Sequence, residues 1–149
     1  MAKKPTTADA QIVLQLYDFR REAEMRKARA WWGGFWPQNA DDIMKIAGNY
    51  AAPENAWFRQ VLGYWDMAAA LSLRGAVNED LFFDCCGEMW FVFSKVSPFL
   101  KDIRVKMNSP KLMLHIEEVV KKTKQGRERL KTMEARAETL RKTMAAKAS

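Results

Sequence analysis

The stretch Pro53–Leu73 constrains the fold more than any other part of the chain. Its apolar residues recur at helical spacing on two faces, so that only Arg59, Gln60 and Asp66 leave a narrow polar strip. A helix that is apolar nearly all round is usually buried on several sides. The proline suits the first turn, and Gly75 can close the helix in the left-handed conformation. We therefore predict a buried core helix here.

The following stretch, Asn78–Val96, predicts a second helix that folds back on the first. Asn78 is a good N-cap, and Glu79 and Asp80 complement the positive end of the helix dipole. Only a few residues connect the two helices, so we expect them to be antiparallel neighbours. The hairpin Trp57–Val96 is thus predicted to be the centre of a small all-α bundle.

The rest of the chain extends this bundle into a single domain of five or six helices, as expected for 149 residues. We predict a disordered start over residues 1–6, a helical bundle core over 7–108 and a long basic C-terminal helix over 109–149. Within the core, a helix is expected from Thr7 to about Trp32, and a short one over Ala40–Tyr50.

The C-terminal helix, predicted to run from Ser109 to about Ala146, carries an unbroken heptad pattern of the coiled-coil type. Three interpretations stay open: its first half packs on the core while the second half projects, it self-associates, or it offers a basic face. The seam residues predicted to mediate self-association are Leu112, Ile116, Val119, Leu130, Met133, Leu140 and Met144, and Thr123, Gly126 and Ala137 fill the weaker seam positions between them.

Charge is concentrated in the same part of the chain. Residues 1–100 hold 11 Lys/Arg and 12 Asp/Glu, a net charge of −1, while residues 101–149 hold 14 and 6, a net charge of +8. A basic helix of this kind can bind nucleic acid, an anionic membrane surface or an acidic protein. The predicted basic face consists of Lys121, Lys122, Lys124, Arg127, Arg129 and Lys131.

Four aromatic residues lie close together after the first predicted helix, where Gly33, Gly34 and Pro37 predict a loop. The loop either folds back and closes one end of the bundle, or is exposed and binds a partner protein, a base or a lipid interface. These residues are Trp31, Trp32, Phe35 and Trp36.

Residues suited to catalysis are few. The single histidine, His115, cannot supply the two Glu-x-x-His pairs of a di-iron bundle. Cys85 and Cys86 are adjacent, and we interpret them as small hydrophobes without a disulfide partner. We therefore predict no catalytic residue, no metal site and no cofactor. Three acidic residues at steps of four either bind a cation or, as we favour, form a solvated stripe or pair with arginines: Asp80, Asp84 and Glu88.

The chain has no sequence feature that predicts export or membrane insertion. Met1–Gln11 is polar and lacks the apolar core of a signal peptide, and three charges interrupt Leu81–Leu100. We therefore expect a cytoplasmic protein without a transmembrane segment.

Six segments together carry a family resemblance: Glu54–Trp65, Arg74–Phe82, Gly87–Met89, Lys95–Leu100, Arg20–Trp36 and Gly126–Leu130. They resemble a bacterial family of small helical proteins known only as a domain of unknown function, with relatives of acidobacterial type. This resemblance implies a helical fold and supplies no activity, cofactor or catalytic residue.

Together these features predict a non-enzymatic interaction or assembly module that self-associates through the C-terminal seam, with the Trp31–Trp36 loop as a second contact. The alternative is a basic helix that binds nucleic acid or an anionic membrane surface. A third possibility is a small-molecule or metal-binding helical protein with its pocket near Trp65, Asp66, Asp84 and Glu88.

Overall fold

The computed structural model describes residues 3–149, and over this range it contains helices and no strand. The predicted all-α class is confirmed, although the described chain forms nine α-helices and not the five or six expected. They are α1 (Thr7–Phe19), α2 (Ala23–Gly34), α3 (Ala40–Ala47), α4 (Pro53–Leu73), α5 (Glu79–Cys85), α6 (Glu88–Val96), α7 (Leu100–Lys106), α8 (Leu114–Lys122) and α9 (Lys124–Ala148), with a 3₁₀ turn (Ser97–Phe99) between α6 and α7.

Helix α4 is the central element, with the bounds that its sequence predicts. Its proline occupies the first turn, and Gly75 beyond its end has φ of +72°, the left-handed conformation that glycine adopts most easily. Phe58 and Trp65 are buried in the core. The predicted neighbours of α4 were wrong, because α4 packs mainly against α2 and α8 and has few contacts with α5.

The predicted second arm is not one helix. It breaks at Cys86 and Gly87, where the Cys86 N–H still donates to the Phe82 carbonyl before α6 starts in a new direction. Seven of the nine α6 residues are buried. Helix α6 packs mainly against α9 and to a lesser extent against α8, so the second arm does not pair with α4 along its length.

The predicted N-terminal helix is also divided. Residues 20–22 end α1 and start α2, and the Glu22 carboxylate caps α2 by accepting from the Met25 N–H at 3.0 Å. In the predicted disordered start, residues 1 and 2 lie outside the described range. The Lys3 carbonyl accepts from Asn78 Nδ2 at 2.5 Å, and Thr6 caps α1.

The predicted continuous C-terminal helix was wrong in two places. It starts at Leu114, after a turn in which Met113 has φ of 56°, and it bends at Thr123, which separates α8 from α9. The Asp66 carboxylate of α4 accepts from the backbone N–H groups of His115 and Ile116 at 3.1 and 3.2 Å. A side chain from α4 therefore sets where α8 begins, because it satisfies amides that a local cap would otherwise bind.

Candidate functional site

The main candidate for a functional surface is the groove, which we define as the face of α6 and α8 that α9 covers. Trp90 and Phe93 of α6 and Ile116 of α8 are almost completely buried. On the α9 side, Leu130 is 6% exposed and Ala137 is 1% exposed. The groove therefore holds the apolar side of one amphipathic helix along most of its length.

The first turns of α9 are held by what we call the start clasp. Trp90 Nε1 donates to the Gly126 carbonyl at 3.1 Å. Arg129 Nη1 donates to the Phe83 carbonyl at 2.7 Å, and its guanidinium lies 3.7 Å from the centre of the Phe83 ring. Hydrogen bonding and cation–π stacking thus fix both the position and the rotation of α9 at this end.

The other end of α9 is held by the end clasp. Arg141 is buried, and its Nε donates to the Pro37 carbonyl at 2.8 Å while Nη2 donates to the Lys95 carbonyl at 3.4 Å. Gln38 Nε2 donates to the Arg141 carbonyl at 3.2 Å. Between the clasps, Ser97 Oγ donates to Glu134 Oε1 at 2.7 Å. Polar contacts along α9 therefore select one register of the helix in the groove.

Next to the end clasp lies a completely buried lysine. Lys95 Nζ donates to the Trp32 carbonyl at 2.5 Å and lies 3.9 Å from the centre of the Trp36 ring. Burial, together with the charge of nearby Arg141, lowers the pKa of Lys95 to about 7. The aromatic rings and the carbonyl stabilise the ammonium only in part, so the neutral form is populated near pH 7.

Most of the predicted seam residues are buried or partly buried against other parts of the same chain. Ile116 and Leu130 are buried, while Leu112, Val119 and Met133 are partly buried against the core. Leu140 is half-buried, and Met144 is 39% exposed. The seam is thus a real helix-packing face: its α9 residues face the groove of the same chain, and its α8 residues Ile116 and Val119 pack in or against the core.

Five of the six residues of the predicted basic face are exposed, and Arg129 is the half-buried exception. Lys121 pairs with Glu117, and Lys122 pairs with Glu79. Arg127 binds the carbonyls at the end of α8, and Arg129 faces the groove. Lys124 is exposed and lies 3.9 Å from Glu128, and Lys131 is exposed on the same helix.

Two of the four predicted loop aromatics, Phe35 and Trp36, lie in the loop after α2, and the other two lie in the helix. Trp31 and Trp32 belong to the last turn of α2, and Trp32 is buried against Phe58. Phe35 stacks on Trp31 with 4.9 Å between ring centres, and Trp36 packs edge-on against Phe91. They are half-buried apart from Trp32. Both glycines belong to α2, although they were predicted to break the helix.

The predicted acidic stripe is split by the break between α5 and α6. Asp80 and Asp84 are exposed on α5. Glu88 accepts from Arg20 at 3.0 Å and from Arg29 at 2.6 Å, so it joins α6 to the N-terminal helices. Within residues 3–149 there is no group of three or more His, Cys, Asp or Glu side chains placed to hold a metal ion.

His115 and a cleft beside α8 are two further features with polar groups. His115 Nδ1 lies 2.8 Å from Asp66 Oδ2, an arrangement that orients the ring. The cleft, of about 630 Å³, lies between α7, α8 and α9, and it is lined by Leu100 and Val105 together with the charged groups of Arg104. Asp66 and Glu88, predicted to share a pocket, are instead engaged at different places by the α8 amides and by arginines.

Sequence reasoning missed the residues that hold α9 in place. Lys95 lies within a largely apolar run, and this is the only sequence signal for its burial, because Glu88, seven residues earlier, lies on the same helix face. Arg129 directly precedes the seam residue Leu130, and Arg141 directly follows the seam residue Leu140. The heptad pattern therefore assigns both arginines to positions that flank the seam. Their carbonyl partners on distant segments leave no signal in the sequence.

Over residues 3–149, the apolar content of the helices falls below what is needed for any of them to cross a membrane. No curated protein and no solved structure matches the chain. A family model described as a domain of unknown function, DUF4760, matches residues 5–123, which confirms the resemblance noted in the sequence. The bacterial origin implied by that resemblance stays a prediction. The chain belongs to this family, and α9 lies beyond the matched residues.

Proposed function

We propose that this protein is a non-enzymatic interaction module that assembles with a second copy of itself through its C-terminal helix. The observation that carries the proposal is the position of α9, which lies beyond the family match and fills an apolar groove of the matched part. Grooves of this kind recognise an amphipathic helix by its apolar face. The same helix from a second copy presents the same face.

The chemistry of the groove supports this proposal. Trp90 on one side and Arg129 and Arg141 on the other are residue types enriched at the energetic centres of interfaces. Each makes a directed contact with a backbone carbonyl. A helix without arginines at the positions of Arg129 and Arg141 would lack two of these contacts, so the groove discriminates in favour of its own α9.

The stoichiometry of the full chain tests the proposal. We expect native mass spectrometry and light scattering to find a dimer whose fraction increases with protein concentration. Leu140→Asp should reduce this fraction, because an aspartate at this half-buried seam position weakens the docking of α9 on any groove, so chains with α9 undocked replace the dimer. Leu130 is a poorer choice, since burial of an aspartate there would unfold the protein.

Lys131→Asp is the matched control, because Lys131 is exposed on the same helix and away from the seam. It should leave the dimer fraction unchanged. A chain that is monomeric at every concentration, or a dimer that is equally sensitive to both substitutions, would contradict the proposal.

A second candidate function is binding of nucleic acid or an anionic membrane surface. It is favoured by the net charge of +8 on residues 101–149 and by exposed Lys131, Arg136 and Lys147 on α9. Such binding should weaken steeply as salt increases, whereas an apolar seam should not. Gel-shift and liposome titrations across salt separate the two candidates, and the absence of binding at low salt would eliminate the second.

A further inference from the structure

The bend between α8 and α9 occupies a single residue. Thr123 has an extended backbone (φ −106°, ψ 158°) and caps α9, with its Oγ1 accepting from the Gly126 N–H at 2.9 Å. The heptad pattern nevertheless continues from Leu112 to Met144 without a shift of phase. The same residues therefore place their apolar side chains on one face of a straight helix as well.

The bent conformation depends on features that a straight helix does not need. A Cβ atom at Gly126 would lie 2.9 Å from the Val120 carbonyl oxygen and 3.1 Å from Thr123 Oγ1, so the bend requires glycine there. Arg127 Nη1 donates to the carbonyls of Lys121 and Lys122 at 2.7 and 3.3 Å. In a continuous helix, backbone amides would bind these carbonyls instead.

We infer that the bend at Thr123 opens, that α8 and α9 join into one straight helix, and that two copies exchange α9 so that each fills the groove of the other. This inference rests on the proposed function and specifies how the second copy binds. Contacts far from the bend, such as Ser97–Glu134 and Arg141–Pro37, are re-formed between chains with the same partners. Exchange of an identical element costs little beyond the change at the hinge.

The exchange moves α9 as one helix. The 25 residues of α9 extend about 37 Å as a helix, at about 1.5 Å per residue. Once straightened, α9 presents its seam on the same side as the α8 seam residues Ile116 and Val119. The exposed seam of each copy then has one complementary surface available, which is the emptied groove of its partner.

Gly126→Ala should destabilise the bent form of α8 and α9 and stabilise the straight form. It should favour the dimer by at least about tenfold in the dimerisation constant, because alanine is a better helix former in each chain and its Cβ clashes only in the bend. Gly63→Ala is the matched control, since Gly63 lies in helix α4 and its Cβ would meet nothing within 4 Å. If Gly126→Ala fails to fold, Thr123→Ala removes the cap of α9 and should shift the equilibrium in the same direction.

Disulfide trapping then shows whether the dimer has exchanged α9. Ser97→Cys and Glu134→Cys are combined in a background of Cys85→Ser and Cys86→Ala, because Ser97 and Glu134 are in contact across the groove. After mild oxidation, the monomer fraction should give a link within one chain, and the isolated dimer should give a covalent dimer.

The possible results are distinct. A link within one chain from the isolated dimer would overturn the exchange and leave the proposed self-association standing. The absence of any dimer, even for Gly126→Ala and Thr123→Ala, would overturn both. A dimer that Gly126→Ala and Gly63→Ala promote equally would overturn the role of the bend.

Discussion

Replacing Lys95 with methionine should stabilise the protein at neutral pH. The lysine is completely buried beside Trp36, and its pKa is lowered from 10.5 to about 7. At about 1.4 kcal/mol per pKa unit, this difference corresponds to about 5 kcal/mol that the folded state loses when the lysine carries its charge. Methionine has a similar shape and no charge, so Lys95→Met removes this cost and keeps the core filled.

The sign of the pH dependence follows from the two pKa values of Lys95. The unfolded chain retains the proton up to about pH 10.5, whereas the folded protein loses it at about pH 7. Between these values the unfolded state binds more protons, so the free energy of unfolding increases with pH. For one such group the increase from pH 7 to pH 9 is about 2 kcal/mol. The pKa of buried Cys86 is raised to about 12 and opposes this trend above pH 9.

Urea denaturation followed by circular dichroism, at several values from about pH 7 to pH 9, measures this effect. The native protein should become more stable over the interval, and Lys95→Met should be more stable at pH 7 and much less dependent on pH. Lys131→Met controls for the loss of an exposed lysine. An unchanged pH slope in Lys95→Met would refute the reasoning, because another group would then control the titration.

The remaining predictions concern stability, measured by the same denaturation. Asp66→Asn should cost about 1 kcal/mol, because a neutral amide binds the N-terminal amides of α8 less strongly than the carboxylate does. Glu88→Gln should cost about 2 kcal/mol, since it leaves two arginines without their carboxylate, while exposed Asp84→Asn should change little. Leu130→Ala should cost about 2–4 kcal/mol, and Met144→Ala less than about 0.5 kcal/mol, if α9 occupies its own groove.

Local sequence signals were sufficient for the helices whose start is marked by a residue adjacent in sequence. The bounds of α4 follow from its proline and from its apolar period, and α3 and α5 begin after the asparagines that cap them. Local signals were insufficient where a residue that is distant in the sequence determines where a helix begins. The start of α8 depends on Asp66, which is 49 residues from His115 along the chain, and no local signal marks this contact.

The sequence predicted which residues of α9 form its packing face, but it did not predict which surface covers that face. The heptad pattern identified the face of α9 that packs, including Leu130 and Met133, which do lie against the core or within it. Periodicity reports that a helix has an apolar face, and contacts within one chain and between two chains require the same face. The sequence therefore left open which surface covers the seam, and the fold places the groove of the same chain there.

The closed and exchanged forms are balanced by the hinge and by concentration. Their contacts across the groove far from the bend are the same, so these contacts cancel in the comparison of the two forms. In the closed form, the one-residue hinge keeps α9 next to its groove at a high effective concentration, which favours the monomer in dilute solution. In the exchanged form, α8 and α9 gain backbone hydrogen bonds where Thr123 and Gly126 now bend. Gly126 permits the closed form and is a poor helix former in the straight one, so this residue sets the protein concentration at which the chain assembles.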